Sequence, residues 1–342
     1  MPATKPSLDE WGRLYQAASR VKQTAPWEWM EETDVFGVQD PETGEMGFVS
    51  VMGALGQHLA IAVYLGAQGL YSFWAFQQLA DQVPAEALLG IPQLQASFEN
   101  RTDLSKEDRQ TIKALGLKFR GRQSWPQFRS FRPGFLPWYL EAWEARFLTH
   151  VLEQVVEVAL QFKENPTLLD TENEEDYLVR LPRQEEGKLV WEGQVLPVPP
   201  PEPTPIRIAL DLDLLEKMKQ LPQSNLVLEV DLFAMPTPMG EQDQRPYFPC
   251  MLLIVDSESG LVLGSELLTP EEGLETMWGV IPLMLLYQLA QAEIVPQQIN
   301  VRSLLLSQLL QPLADQLGFE IKGKPTLRSL NRAKEFFLER FV

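Results

Sequence analysis

The chain has 342 residues and a formal net charge of −18, and 45% of its residues are hydrophobic. This length suggests two domains, each with enough apolar side chains to bury a core. The acidic balance argues against non-specific binding of nucleic acid, because that affinity comes from lysine and arginine at phosphates. The single cysteine, Cys250, excludes an intramolecular disulfide and suits a reducing compartment.

No segment predicts export or membrane insertion. The first residues, MPATKPSLDEW, lack a basic region followed by an apolar run, so we expect no secretory signal. The longest apolar stretch, residues 280–289, contains Pro282 and is too short to span a bilayer. We therefore expect a cytoplasmic protein without membrane contact.

The first part of the chain predicts an antiparallel meander with helices around it. Apolar residues at helical spacing predict a helix over residues 8–21, with Ser7 as its N-cap. Glycines in Gly66-Ala67-Gln68-Gly69 predict a strand-to-helix turn that needs positive φ. The other predicted elements are strands at 34–38, 46–52, 59–65 and 94–98, helices at 70–79, 105–114 and 138–163, and a hairpin of 177–181 with 188–191. We interpret residues 1–195 as one α+β domain.

A proline-rich segment separates this domain from the rest of the chain. Five prolines fall within the seven residues Pro199–Pro205, which favours extended polyproline II geometry. We therefore predict a linker over residues 196–206 and a second domain over residues 207–342.

The second domain begins with three apolar runs, which predict an antiparallel meander. The runs are Leu226–Phe233, Pro249–Val255 and Leu261–Leu268, and a tight-turn sequence at residues 256–260 joins the last two. Further elements are predicted as a helix at 270–292 kinked at Pro282, a strand at 298–301, a helix at 304–317 closed by Gly318, a strand at 319–321 and a helix at 327–341. Strands that follow helical crossovers lie parallel to their neighbours, so we expect an α/β domain with a five-stranded mixed sheet.

This order of elements resembles the ribonuclease H-like fold of integrase and transposase cores. Asp231 lies on the first strand, PCMLLIVDSESGLVLG matches the second and third strands, and Pro296–Arg302 enters the fourth. The resemblance covers Asn225–Phe341. It implies a chemistry in which carboxylates hold two metal ions at a phosphodiester, with one acid on the first strand and another at the end of the fourth.

The acids of that chemistry are only partly present. Asp231 matches the first acid, whereas Arg302 stands at the second position, and residues 299–311 contain no aspartate or glutamate. Glu272, Glu275 and Glu335 on flanking helices could lie near Asp231, but they do not replace the strand ligand. We therefore predict no metal site, no cofactor and no catalytic residue, and we expect Arg302 to pair with Asp231 in a vestigial site.

A basic and aromatic run, Lys113–Arg132, is a second candidate site. In one interpretation it binds phosphates and stacks bases of a single strand, through Lys118, Arg120, Arg122, Trp125 and Arg129. In the alternative, it is a β-strand whose aromatic residues face the core and whose arginines pair with acids. We favour the alternative, because a net charge of −18 opposes the approach of a polyanion.

Isolated residues give weaker indications. His58 and His150 are the chain's two histidines, and no second E-x-x-H motif accompanies His150 to complete a di-metal bundle. Cys250 has no neighbouring histidine that would activate a thiol nucleophile. We expect ordinary structural roles for all three.

The whole chain, including its WEWM, DPETGEMGFVSVMG and LGAQGL stretches, also resembles a bacterial family of two uncharacterised domains in tandem. That resemblance implies no known activity. Three hypotheses follow. The first is a non-catalytic protein whose partner is another protein rather than nucleic acid. The second is a metal-dependent nuclease or phosphotransferase that uses Asp231 with Glu272, Glu275 or Glu335. The third is a small-molecule sensor with a pocket between the domains.

Overall fold

The structure is a computed structural model that describes residues 4–79, 90–202, 205–241 and 244–339. The chain divides into two compact units. The first comprises residues 1–133 and 137–202, and the second comprises residues 134–136 and 203–342. No helix in the described ranges is both long and apolar enough to cross a membrane.

The first unit contains one sheet and four α-helices among its described residues. Its strands are β1 (Phe36–Gln39), β2 (Met46–Met52), β3 (Ala60–Leu65), β4 (Gln93–Glu99), β5 (Trp125–Phe131), β6 (Asp176–Glu185) and β7 (Lys188–Pro197). Its helices are α1 (Leu8–Thr24), α2 (Gly66–Leu79), α3 (Lys106–Ala114) and α4 (Ala142–Glu164).

The seven strands lie in the order β5-β4-β3-β2-β1-β6-β7. All neighbours are antiparallel except β1 and β6, which pair in parallel. The predicted α+β class and its antiparallel meander are therefore confirmed. Gly66 has the predicted positive φ, +63°, but α2 begins at this residue and not at Leu70, so the segment predicted as a turn belongs to the helix.

Each face of this sheet is covered by helices. On one face, α1 and α4 bury a core that includes Leu14, Val51 and Leu148. On the other face, α2 packs through Leu70 and Phe73 against a smaller cluster. Alternate strand residues supply the two cores, as the pleat of a β-strand requires.

The chain continues to pair with the first sheet after residue 195, the predicted end of the first domain. Strand β7 continues to Pro197, and the Val198 amide donates to the Glu175 carbonyl at 2.8 Å. The Tyr71 hydroxyl donates to the Val198 carbonyl, also at 2.8 Å. The first unit thus extends to Glu202, within the segment predicted as a linker. Pro197 is tolerated at the end of β7 because this strand lies at the edge of the sheet.

The second unit contains a five-stranded sheet. Its strands are β8 (Val227–Ala234), β9 (Cys250–Asp256), β10 (Val262–Leu268), β11 (Gln298–Val301) and β12 (Glu320–Gly323). Its helices are α5 (Leu212–Met218), α6 (Leu274–Gly279), α7 (Ile281–Gln291), α8 (Leu304–Leu317) and α9 (Arg328–Leu338).

The strand order is β10-β9-β8-β11-β12, so the first strand of the unit lies at the centre. The three strands β8, β9 and β10 are antiparallel, and β11 is parallel to both β8 and β12. The predicted five-stranded mixed sheet is confirmed. Helices α5 to α8 contribute to a core on one face that includes Leu228 and Val230, whereas α9 packs on the opposite face against Phe233 and Leu253.

One predicted helix of this unit is two helices. The sequence predicted a single helix over residues 270–292, but α6 begins at Leu274 and ends at Gly279, and α7 begins at Ile281. A Cβ at Gly279 would lie 2.2 Å from the Arg207 carbonyl oxygen, so the backbone approaches closely there. Pro282 then occupies the first turn of α7, where its missing N–H costs nothing. The predicted terminal helix at 327–341 corresponds to α9, and residues 340–342 lie outside the described ranges.

Candidate functional site

Strand pairing brings Asp231 and Arg302 together. In the parallel register of β8 with β11, Val230 lies opposite Val301, so the residues that follow are also neighbours. Leu228 and Val230 face the α5–α8 core, and the alternation of a strand therefore turns Asp231 to the α9 face. The Arg302 Nη2 atom lies 3.7 Å from the Asp231 Oδ2 atom.

The two partners differ in exposure. The Asp231 side chain is 7% exposed, and that of Arg302 is 38% exposed. Arg302 Nη2 also donates a hydrogen bond of 2.6 Å to Asn331 Oδ1 on α9. The guanidinium thus lies between the central strand and the helix, at the edge of the buried region.

Burial is the largest influence on Asp231 and raises the pKa of its carboxyl group. The positive charge of Arg302, the backbone N–H of Leu232 and the charge of Lys334 act in the opposite direction without overcoming it. Lys334 Nζ lies 4.2 Å from the centre of the Phe233 ring, which holds the ammonium group on the α9 face. Asp231 is therefore a buried acid with two cationic neighbours.

The other predicted acids lie elsewhere. Glu272 and Glu275 are exposed and stand near the start of α6, which packs through Met277 on the face opposite Asp231. Glu335 is an exposed residue of α9, and its neighbour Lys334 is the residue whose charge acts on Asp231. Across the described residues, no group of three or more His, Cys, Asp or Glu side chains could hold a metal ion.

Sequence reasoning missed further polar residues on this face. Glu229 precedes Asp231 by two positions on β8 and is 7% exposed, and Asn300 precedes Arg302 by two positions on β11 and is 2% exposed. The register pairs Glu229 with Asn300. Period-two alternation from Asp231 and Arg302 could have identified both residues, but their burial depends on α9 and the loop before it.

The basic run of the first unit is divided in two by the structure. Arg129 lies on β5 and donates to both carboxylate oxygens of Asp108, at 3.0 and 2.7 Å. Its guanidinium carbon lies 4.9 Å from the centre of the Tyr139 ring. Burial acts to raise the pKa of Asp108, but the hydrogen bonds and charge of Arg129, with two hydrogen bonds from Ser105, lower it overall. Arg129 therefore has a structural partner, as the alternative interpretation predicted.

Apart from Arg132, the other cations of the run differ from Arg129, because they do not pair with acids among the described residues. Lys118, Arg120 and Arg122 are exposed, and within the described residues the ion pairs of this region belong to Arg129 and Arg132. Trp125 is half-buried, and the Arg101 guanidinium carbon lies 5.8 Å from its ring centre. These cations are available to a ligand or partner.

A cavity of about 400 Å³ lies beside Trp125. We call it the Trp125 surface. Four cationic residues and three apolar residues line it, namely Arg101, Arg109, Lys113, Lys118, Ile112, Leu117 and Trp125. The four cations are exposed and contrast with the acidic character of the whole chain.

The histidines and the cysteine have no catalytic surroundings among the described residues. His58 Nδ1 lies 3.9 Å from Glu99, and His150 Nδ1 lies 3.8 Å from Glu153. Cys250 is half-buried beside the second core, and burial raises the pKa of its thiol. A raised pKa lowers the thiolate fraction, so the thiol is a poor nucleophile.

Comparison with protein families finds two separate domains along the chain. Residues 11–180 match the family model of a domain of unknown function, DUF7309. Residues 214–338 match that of a second domain of unknown function, DUF6930. The chain carries two uncharacterised domains in tandem. No curated protein matches the sequence.

The two matches contain the two candidate sites separately. The DUF7309 match includes α3, β5 and the Trp125 surface, and the DUF6930 match runs from α5 to the end of α9. Asp231, Arg302 and Lys334 therefore all lie within DUF6930. Each site can be tested through residues of a single domain.

Proposed function

We propose that this protein is a non-catalytic binding protein whose DUF6930 domain is a ribonuclease H-like scaffold without metal chemistry. The observation that carries the proposal is the Arg302 guanidinium, 3.7 Å from the Asp231 carboxylate. Mg²⁺ takes oxygen ligands, usually one or two carboxylates together with water and substrate phosphates. Two positive side chains beside one buried carboxylate oppose the entry of a further positive charge.

The sheet supports the resemblance on which this proposal draws. Its first strand is central, the first three strands are antiparallel, and β11 and β12 are parallel to their neighbours. Asp231 lies on the central strand, and Arg302 directly follows the adjacent strand β11. These are the positions at which the resembled fold carries its metal-binding acids.

Metal titration of the full chain tests the proposal directly. Calorimetry should detect no saturable binding of Mg²⁺ or Mn²⁺ to the wild type that depends on Asp231. The heats of the wild type and of Asp231→Asn should therefore be the same. DNA or RNA incubated with either ion should be cleaved no faster by the wild type than by Asp231→Asn. Saturable binding and cleavage that both require Asp231 would overturn the proposal and favour the metal-dependent nuclease or phosphotransferase.

A gain-of-function variant tests the role of the cations more sharply. Arg302→Asp with Lys334→Glu replaces both cationic neighbours of Asp231 by acids, so we expect the variant to acquire a Mn²⁺ site. The control, Lys217→Asp with Lys188→Glu, changes the net charge equally at exposed residues elsewhere. Failure of the first variant to bind Mn²⁺ while it remains folded would contradict the idea that these cations take the place of metal.

The partner that we propose is a protein segment with acidic side chains around an apolar one, bound at the Trp125 surface. Four exposed cations fit the acids, and Ile112, Leu117 and Trp125 fit an apolar side chain. Single-stranded nucleic acid is favoured by a long basic groove. The chain has 47 acidic residues and 29 basic ones. This excess of negative charge repels a densely charged nucleic-acid strand more strongly than a short acidic peptide.

Binding of a labelled peptide that carries glutamates around one phenylalanine tests this partner. Lys113→Glu with Lys118→Glu should weaken binding by about tenfold or more, equivalent to ~1.4 kcal/mol. The control, Lys188→Glu with Lys217→Glu, carries the same change of charge and should bind as the wild type does. Tighter, salt-sensitive binding of single-stranded DNA or RNA at the same residues would overturn the choice of a protein partner.

A further inference from the structure

A second cavity, in the DUF6930 domain, has a volume of about 580 Å³. It lies where β8, β11, the loop after β12 and the first turn of α9 meet, and we call it the Asn300 pocket. Its lining includes Val227, Glu229, Asn300, Lys324 and Arg328. This volume is in the range of small-molecule sites.

Two of the lining side chains are polar and almost fully buried. Glu229 is 7% exposed and Asn300 is 2% exposed. Burying a polar group is unfavourable unless it forms hydrogen bonds. Donor and acceptor atoms of these two residues that have no partner within the described residues therefore indicate what the pocket could bind.

The orientation of the Asn300 amide follows from its neighbours. Lys322 Nζ can only donate, and it donates to Gln298 Oε1 at 2.7 Å. The Nε2 atom of Gln298 consequently donates to Asn300 Oδ1, also at 2.7 Å. Asn300 Nδ2 is left as a donor without an acceptor among the described residues, and the residue lines the pocket.

Glu229 has the complementary atom. Its Oε2 atom accepts a hydrogen bond of 2.8 Å from the Leu330 amide in the first turn of α9, which fixes the carboxylate. Its Oε1 atom accepts no hydrogen bond from the described part of the chain. Because Glu229 lies opposite Asn300 in the strand register and both residues line the pocket, neighbouring strands supply it with one free acceptor and one free donor.

Positive charge borders the same pocket. Lys324 and Arg328 are exposed lining residues, and the ion pairs of the described residues do not include them. A carboxylate or phosphate at that border would be attracted to both. The pocket thus combines an uncharged donor, an anionic acceptor and two cations.

We propose that the Asn300 pocket binds a small anionic molecule with neighbouring hydrogen-bond acceptor and donor groups, the pattern of a nucleoside monophosphate. An acceptor on the edge of the base receives the Asn300 Nδ2 hydrogen, and an adjacent N–H donates to Glu229 Oε1. The phosphate lies against Lys324 and Arg328. This site belongs to a different unit of the chain from the Trp125 surface and does not depend on the role of Asp231.

Calorimetric titration of the full chain with AMP, GMP, CMP and UMP tests the proposal. At least one should bind saturably, and the matching nucleoside without phosphate should bind at least about tenfold more weakly. Inorganic phosphate alone should also bind more weakly than the nucleotide. Equal affinity for inorganic phosphate, or no saturable binding by any of the four, would overturn the proposal.

Two variants separate the parts of the site. Asn300→Asp exchanges the donor for an acceptor at constant shape and should weaken nucleotide binding at least about tenfold. Lys324→Gln with Arg328→Gln, at exposed residues that do not endanger folding, should reduce nucleotide affinity towards that of the nucleoside. The control, Lys188→Gln with Arg332→Gln, removes two positive charges at residues that do not line the pocket. Nucleotide binding that both pocket variants leave unchanged would assign the ligand elsewhere and refute the site.

Discussion

The guanidinium of Arg302 lies 3.7 Å from the carboxylate of Asp231, one strand away in a parallel pair. This separation permits charge attraction but exceeds a hydrogen bond. Arg302 instead uses Nη2 to donate to Asn331 on α9. Arg302 therefore attracts the Asp231 carboxylate without donating a hydrogen bond to it. Burial still raises the pKa of Asp231.

The first prediction concerns that pKa. We expect the Asp231 carboxyl to titrate above the ordinary range of aspartate, and Arg302→Met to raise its pKa further, because the guanidinium opposes the effect of burial. Carboxyl ¹³C NMR of the full chain measures both titrations. Lys217→Met, a remote exposed change, is the control. An unchanged Asp231 pKa in Arg302→Met would contradict the interaction.

The second prediction links the same group to stability. A folded-state pKa above the unfolded value means that the native state binds more protons between the two values, so this contribution to stability falls as pH rises through the folded pKa. We therefore expect Asp231→Asn to gain stability relative to the wild type as pH rises through that window. Hydrogen exchange of β8 amides measures the difference.

Asp256 provides a control of opposite sign. Hydrogen bonds from Ser259 and the Glu258 amide lower the pKa of Asp256 overall, and burial opposes them. Its stabilising contribution is present above the unfolded pKa and is lost as pH falls through the folded one. Asp256→Asn should therefore lose stability relative to the wild type as pH rises. If the stability of both variants, relative to the wild type, changed with pH in the same way, the measurement would not be reporting the ionisation of these two carboxylates.

The third prediction concerns the buried pair of Asp108 and Arg129, whose side chains are 9% and 16% exposed. Asp108→Asn leaves the guanidinium without its anionic partner, and removing one member of a buried pair typically costs about 3–5 kcal/mol. The matched control is Asp9→Asn, because Asp9 pairs with Arg13 at 74% and 72% exposure. That change should alter stability by less than about 0.5 kcal/mol.

Hydrogen exchange of amides in β4 and β5 measures the free energy of unfolding for the Asp108 comparison. Since the pKa of Asp108 is lowered in the folded state, the penalty of Asp108→Asn should shrink as pH falls through that pKa. Similar small effects of Asp108→Asn and Asp9→Asn would mean that Arg129 does not need its partner. Arg129 would then return to the set of cations available for binding.

Elements with local signals were predictable from sequence. The bounds of β2, β11 and α8 agree with their predicted ranges. Gly318, predicted to close α8, has a φ of +79°, which glycine adopts without a Cβ penalty. The meander of the second unit was also predictable, because alternating apolar runs and tight turns act over few residues.

Features that depend on distant residues were not predictable. The break between α6 and α7 depends on Gly279 and its approach to the Arg207 carbonyl, 72 positions earlier in the sequence. Helical phase could not decide whether Lys334 or Glu335 faces Asp231, because that requires the docking angle of α9. The Asn300 pocket depends on strand register and on the path of the chain after β12.

The last prediction tests the close approach at Gly279. A methyl group there would lie 2.2 Å from the Arg207 carbonyl oxygen and 3.2 Å from its carbon, so the backbone of one segment must move. Gly279→Ala should therefore destabilise the second unit by about 1–3 kcal/mol, despite the better helix propensity of alanine. Gly323→Ala is the control, because a Cβ at Gly323 meets no atom within 4 Å. Hydrogen exchange of amides in α7 and β11 measures both changes, and equal stability of the two variants would mean that the segment at Arg207 does not pack against α6 as described.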